Sequence, residues 1–186
     1  WGVELDPKIA AVAQANGFDV HCGDVCVFSP SREDLFLLHA SPPCQRASNA
    51  YAASSEEIID LRLARSTMDI VAELMPTFFT LENVIGYRRF EAFKHICESL
   101  RHLGYSFQYW NVNMADFGVP QTRRRLILIA RRDGRRVQRM STTHKQYPDL
   151  FAKKWVGWSE RLADELPNLV RAPLTKYQEQ KIQNHV

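Results

Sequence analysis

No apolar run in this chain approaches the roughly 20 residues that a membrane-spanning helix needs, and its first residues lack the charged-then-apolar pattern of a signal peptide. Cysteine is scarce. Cys22, Cys26, Cys44 and Cys97 are the only four in 186 residues, and their spacing suggests no disulfide framework. A reducing compartment, the cytosol or a nucleus, is therefore expected. His21, Cys22 and Cys26 have no second ligand pair nearby, so no metal site is expected. Neither internal repeats nor low-complexity segments occur. Excess charge of one sign is also missing: the net charge of +3 permits a polyanionic partner without demanding one.

What is present is a globular composition, with 45% hydrophobic and 24% charged residues in a chain long enough for a substantial core. Strand and helix patterns alternate through the first 130 residues or so. Gly2 to Leu5 reads as a strand end, with Asp6 as N-cap and Pro7 in the first turn of a helix that Gly17 stops. Short strands are expected at 18–21 and 35–40. A polar loop at 45–55 leads to a Ser54/Glu57 capping box and a helix reaching Met75, which Pro76 ends. The β-rich run 77–81 follows. Phe90, Phe93, Cys97 and Leu100 mark an amphipathic helix closed by Gly104, with Cys97 in the core. Strands at 105–112 and 126–130 come next, then an Asp133-Gly134 hairpin signal. Past Ser141 the pattern weakens: Trp155, Trp158, Leu162 and Leu166 suit one short helix face, and 177–186 a polar helix.

Such alternation predicts an α/β fold with a largely parallel sheet, whose ligands bind beyond the carboxyl ends of the strands. Glu4, Asp24, Cys44 and Glu82 each fall at or just past a predicted strand end, so four ionisable or reactive residues would share one edge. Pro42 and Pro43 stiffen the backbone before Cys44 and would hold its thiol in one direction, as a nucleophile requires. The same tripeptide equally suits a structural cysteine. Glu82 emerges from an apolar run, where partial desolvation would favour a proton on its carboxyl and hydrogen bonding to a base edge. A helix-capping or arginine-paired carboxylate is the plainer alternative. Strand alternation places Arg123 and Arg125 on one face and Arg124 on the other, an arrangement suited to a phosphate or a base carbonyl, or simply to an exposed basic strand end. Arg131, Arg132, Arg135, Arg136 and Arg139 form a second basic group, which a solvated hairpin would also explain.

Five motifs in this order, Val3-Glu4-Leu5-Asp6, Gly23-Asp24-Val25, Ser41-Pro42-Pro43-Cys44-Gln45, Glu82-Asn83-Val84 and Gln121-Thr122-Arg123-Arg124-Arg125, resemble the cytosine-5 DNA methyltransferase family over about residues 1–131. The resemblance implies a Rossmann-like class I methyltransferase sheet, mostly parallel with helices on both faces. It implies S-adenosylmethionine as cofactor, double-stranded DNA as partner, and a cytosine flipped out of the duplex. Cys44 would add to C6 of the ring, Glu82 would hold the N3 and amine edge, and Arg123 and Arg125 would contact the base carbonyl and neighbouring backbone. On the cofactor side Glu4 matches the ribose ligand, Leu5 lies beside the adenine, Asp24 accepts from the adenine amine and Val25 packs on the ring; Pro43 belongs with this group. Gln45, Ser48 and Gln121 fall on the DNA side. Asn83 is grouped with them and organises the loop around Glu82. The sequence departs from the commonest family pattern at Arg46-Ala47-Ser48 and at Leu5, where many members carry a larger side chain.

The family's glycine-rich first motif, its target-recognition region and its last two motifs are not in this sequence. The expectation is a partial catalytic domain at 1–140, with 141–186 beginning the connection to the recognition region. The remainder would lie in a longer chain or on a second one, and these 186 residues alone would be inactive. An amino-group methyltransferase is disfavoured because Cys44 stands where that class places an aromatic residue. A tRNA cytosine methyltransferase of the same motif type, and a non-catalytic subunit of a split enzyme, stay open.

Overall fold

The computed structural model describes residues 1–31, 34–43, 57–165 and 168. β1 (Gly2–Glu4) leads into α1 (Pro7–Ala15), where Asp6 Oδ1 accepts from the Lys8 amide at 2.8 Å and Pro7 occupies the first turn. Gly17, at φ +82°, takes the left-handed turn that releases the chain to β2 (Val20–Cys22), which lies parallel to β1 with Glu4 opposite Cys22.

The larger sheet has four strands in the order β3 (Leu37–Ala40), β4 (Phe78–Asn83), β6 (Arg124–Arg131), β5 (Ser106–Asn113). β3 and β4 are parallel, whereas β6 is antiparallel to both β4 and β5. The sheet is therefore mixed. The α/β class holds, with parallel pairing confined to β1–β2, β3–β4 and the two-residue pair β7 (His144–Lys145) with β8 (Lys153–Lys154). Apolar alternation fixes which face a strand buries but not its direction, and β6 reverses because the short 114–123 connection returns it antiparallel beside β5.

One face of this sheet is closed by α2 (Ile58–Leu74) and α3 (Glu91–His102). Phe79 and Leu81 of β4, with Leu126, Leu128 and Ala130 of β6, pack against Ala64, Met68 and Val71 of α2 and Phe93, Ile96 and Leu100 of α3. Cys97 is buried in the same cluster, as expected, and burial pushes its thiol up to about 11. The opposite face, which carries Phe78, Thr80, Glu82, Arg125, Ile127 and Ile129, is only half-buried. α2 begins at Ile58 with the Glu57 amide donating to Asp60 Oδ2 at 2.8 Å, so the capping pair lies three residues beyond the predicted one; Ser54 is outside the described residues. At the other end Met75 adopts a left-handed φ of 42° before Pro76 and its carbonyl accepts from Arg132 Nη1.

Asp133-Gly134 does turn, with Gly134 at φ +70°, but the next described strand, β7, pairs with β8 and not with β6, so the turn closes no hairpin among the described residues. Trp155 does not belong to a helix: α4 (Trp158–Arg161) is a single turn, and the Trp155 indole instead donates to Asp116 Oδ1 at 2.9 Å. Leu166 and residues 177–186, expected to be helical, lie outside the described residues. No described helix is long and apolar enough to cross a membrane.

Candidate active site

Glu82 occupies the penultimate position of β4, and alternation decides its surroundings. Its neighbours Leu81 and Asn83 point into the α2/α3 core, which sends Glu82 to the half-buried face at the carboxyl end of the strand. There, Arg125 Nε lies 2.7 Å from Glu82 Oε1 and Arg123 Nη2 lies 3.7 Å from the same oxygen. Arg123 and Arg125 thus share a face, as alternation predicted. The Ser41 hydroxyl donates to the other oxygen, Oε2, at 2.8 Å. The Glu82 side chain is 21% exposed and ion-paired. This differs from the desolvated carboxyl expected from its apolar run, because the antiparallel β6 brings two guanidinium groups across the strand.

Ser41 was not assigned a role from sequence. Its signal is the parallel register: Ala40 stands opposite Leu81, so the residue just past the end of β3 meets Glu82. Two residues on, Pro43 is exposed; Cys44, Gln45 and Ser48 lie outside the described residues. The turn leading to them is held by Asn83, whose Nδ2 donates to the Pro42 carbonyl at 3.2 Å while its Oδ1 accepts from the Val84 amide at 2.8 Å. Asn83 is 1% exposed. A buried amide with both its NH2 and its carbonyl engaged braces the backbone on either side of it. Gln121 is exposed, in the turn ahead of β6.

The second group sits at the carboxyl ends of β1 and β2. Glu4 Oε1 accepts from the Asp6 amide at 2.9 Å, and the Glu4 carbonyl accepts from the Gly23 amide, which sets Asp24 beside it. Asp24 Oδ1 accepts from the Cys26 amide at 2.8 Å. That bond, more than the Arg62 guanidinium 3.6 Å away, holds the Asp24 carboxyl below its ordinary range. Leu5 is exposed and Val25 half-buried. Two neighbouring carboxylates beside an exposed aliphatic side chain suit a ligand bearing hydroxyl and amine donors next to a flat ring. Arg62, also unassigned from sequence, lies on α2 and ties the β1–β2 pair to the helix covering the larger sheet. The two sheets share no strand pairing among the described residues.

An α/β sheet with reactive groups collected at its carboxyl edge is the architecture of class I methyltransferases. The fold is similar to a putative DNA modification methyltransferase of an Escherichia coli prophage, at a TM-score of 0.63 and 19% identity over 86% of this chain and 46% of that one. It is also similar to the Entamoeba histolytica methyltransferase EhMeth, at a TM-score of 0.60 and 20% identity over 77% of this chain and 48% of the other. The model of the C-5 cytosine-specific DNA methylase family matches residues 1–185, and the chain belongs to that family. Among curated relatives, the Type II methyltransferase M1.HphI of Haemophilus parahaemolyticus is 34% identical over 162 residues, which are 78% of this chain and 43% of that protein. The DNA (cytosine-5)-methyltransferase PliMCI of Paracentrotus lividus is 32% identical over 113 residues, 58% of this chain and 7% of the relative. The chain thus spans less than half the length of these relatives.

Proposed function

We propose that this chain supplies the catalytic edge of a DNA (cytosine-5)-methyltransferase that moves a methyl group from S-adenosylmethionine to C5 of a flipped cytosine in double-stranded DNA. The observation that carries the reading is the Glu82 cluster. A carboxylate is gripped by Arg125 and Ser41 directly beside the Pro42–Pro43 segment that precedes Cys44 in the chain. Glu4 and Asp24 fit the ribose hydroxyls and adenine amine of the cofactor, with Leu5 and Val25 against its ring. The cofactor supplies an electrophilic methyl group.

The chain's own residues do the rest. The Cys44 thiolate adds to C6, forming an S–C6 bond and pushing electron density to C5. Glu82 holds the N3 and amine edge, and Arg125 and Arg123 keep its carboxylate pointed at the ring while reaching the base carbonyl and nearby phosphate. Once C5 carries the methyl group, a base removes the C5 proton, the ring double bond re-forms and the S–C6 bond breaks. Gln45, Ser48 and Gln121 are assigned to the DNA around the flipped base.

Trapping tests this. In a methylation-competent form of the protein, duplex DNA carrying 5-fluorocytosine should form a stable adduct, because fluorine cannot leave as a proton does. Peptide mapping should place it on Cys44, and Cys44→Ser should abolish it. An adduct that survives Cys44→Ser would refute the assignment, and adduct formation with tRNA in place of DNA would redirect the substrate.

A further inference from the structure

The catalytic edge leaves one conspicuous group of charges unused. The sheet row formed by Leu37, Phe78, Arg131 and Ser106 lies at the end opposite Glu82. Arg131 lies six positions beyond Arg125 on β6, about 20 Å at the usual rise of a strand. Past that row, residues 131–139 carry five arginines against a single carboxylate, Asp133.

Two of the five fix the backbone. Arg131 pairs with Asp133 at 2.5 Å and lies over the Phe78 ring, and Arg132 donates to the Met75 carbonyl. The rest of the segment is pinned as well: Val137 is buried, the Ser106 hydroxyl donates to the Arg135 carbonyl, and the Arg135 amide donates to Asp133. Arg135, Arg136 and Arg139 are all exposed. Arg135 has only a 3.7 Å approach to the already occupied Asp133, and Arg136 and Arg139 have no carboxylate partner among the described residues. Beyond Ser106, an open depression runs to Arg101, whose guanidinium carbon lies over the Phe107 ring, 5.1 Å from its centroid. A solvated hairpin would leave its arginines on a loose loop. Here they stand on an anchored backbone and point away from the core, with little acidic charge to neutralise them.

We infer that Arg135, Arg136 and Arg139, with Arg101 across the depression, form a second, sequence-independent contact for the phosphate backbone of DNA, at the end of the sheet remote from Glu82. The inference rests on DNA being the substrate. Guanidinium groups match phosphate oxygens in charge and geometry, and phosphates within reach of Arg123 and Arg125 are out of reach of Arg136 and Arg139. The contact therefore takes either a distant flank of the bound duplex or a second duplex segment.

Salt-dependent binding of fluorescent duplex DNA separates the possibilities. Compared with wild type, Arg135→Gln/Arg136→Gln/Arg139→Gln should lose two to three units of the log–log salt slope, about 0.9 for each phosphate contact removed. The corresponding triple lysine variant should keep the slope. If the triple glutamine variant melts lower than wild type, Arg136→Gln alone, with about 0.9 unit lost, carries the test. A fall in stoichiometry from two short duplexes per chain to one would mark a second segment. A loss seen only on duplexes of several helical turns would mark a flank. Unchanged slope and affinity in the glutamine variants would overturn the remote contact, and loss of all binding in Arg123→Gln/Arg125→Gln would then leave the DNA reading standing without it. A wild-type chain with no salt-dependent DNA binding would instead refute the DNA reading itself.

Discussion

Arg125 Nε stands 2.7 Å from Glu82 Oε1, across the antiparallel pair β4–β6, and this contact gives Glu82 its direction. The Arg125 side chain is 19% exposed, so the pair is shielded enough to hold one geometry while keeping an open side toward a ligand. Arg125→Lys should preserve charge and lose the planar donor that reaches Oε1. Methyl transfer should fall roughly ten- to a hundredfold, the size of a lost positioning contact in a transition state. The cofactor dissociation constant should not change, since Glu4 and Asp24 stand on the other sheet. Single-turnover kinetics and isothermal titration on the same preparation check both halves.

Glu82→Gln keeps the shape of the side chain and removes its charge. The amide oxygen can still accept from Arg125 while the new NH2 donates to the Ser41 hydroxyl, so the placement survives and the charge does not. Turnover is expected to drop by about a hundredfold or more, as for loss of a general acid–base group, with duplex affinity nearly constant. Near wild-type turnover would make Glu82 a purely structural partner of Arg125.

The Asn83 amide is a different kind of residue, and the two neighbours should separate experimentally. Asn83→Ala leaves the Pro42 carbonyl and the Val84 amide without this partner in a part-buried setting, at a cost of at most about 1–3 kcal/mol for each unmet group. The thermal midpoint should fall by several degrees and the rate of 5-fluorocytosine adduct formation should fall with it, because the turn before Cys44 loses its brace. An adduct rate unchanged in a less stable protein would show that the turn holds itself.

Much of this arrangement was legible in the sequence, for identifiable reasons. Asp6-Pro7 marks a helix start through local chemistry, and alternation alone puts Arg123 and Arg125 on one side of β6. What was not legible depends on register and direction. Ser41 meets Glu82 only because β3 is parallel and in step with β4. Arg125 reaches it only because β6 runs the other way. Asn83 sits next to a site residue in a family motif, and one step along a pleated strand turns it from the site into the core. Trp155 looked like part of a helical stripe, yet its ring nitrogen found Asp116.

Cys97 allows a pH prediction. Burial raises its thiol to about 11 from an ordinary 9.0, because the folded state disfavours the thiolate. The unfolded chain therefore releases this proton first as pH rises. This residue's contribution is fully present below pH 9 and is lost progressively toward pH 11. Under native conditions at pH 8 Cys97 should react with a thiol reagent far more slowly than the exposed Cys22, and the two should converge in denaturant. Equal native rates, measured by mass mapping, would contradict the burial.

The two halves of the site are weakly joined. Glu4 and Asp24 belong to the β1–β2 pair, Glu82 and Arg125 to the four-stranded sheet, and no strand pairing joins them among the described residues. The described ion pair between them is Arg62–Asp24, at 3.6 Å with both side chains well exposed, a contact worth at most about 1 kcal/mol. Exposed apolar side chains on α1 and at the start of β3, among them Ile9, Val12, Phe36 and Leu37, add no packing there. So weak a joint cannot hold a methyl donor and a base in register to the fraction of an ångström that transfer needs. The 186 residues by themselves are therefore expected to show only background transfer from labelled S-adenosylmethionine to duplex DNA. Amides of β1 and β2 should exchange with solvent much faster than those of β4 and β6, which are paired on both sides. Robust transfer by the isolated chain, or equal protection of the two sheets, would show that the joint is firmer than its contacts suggest.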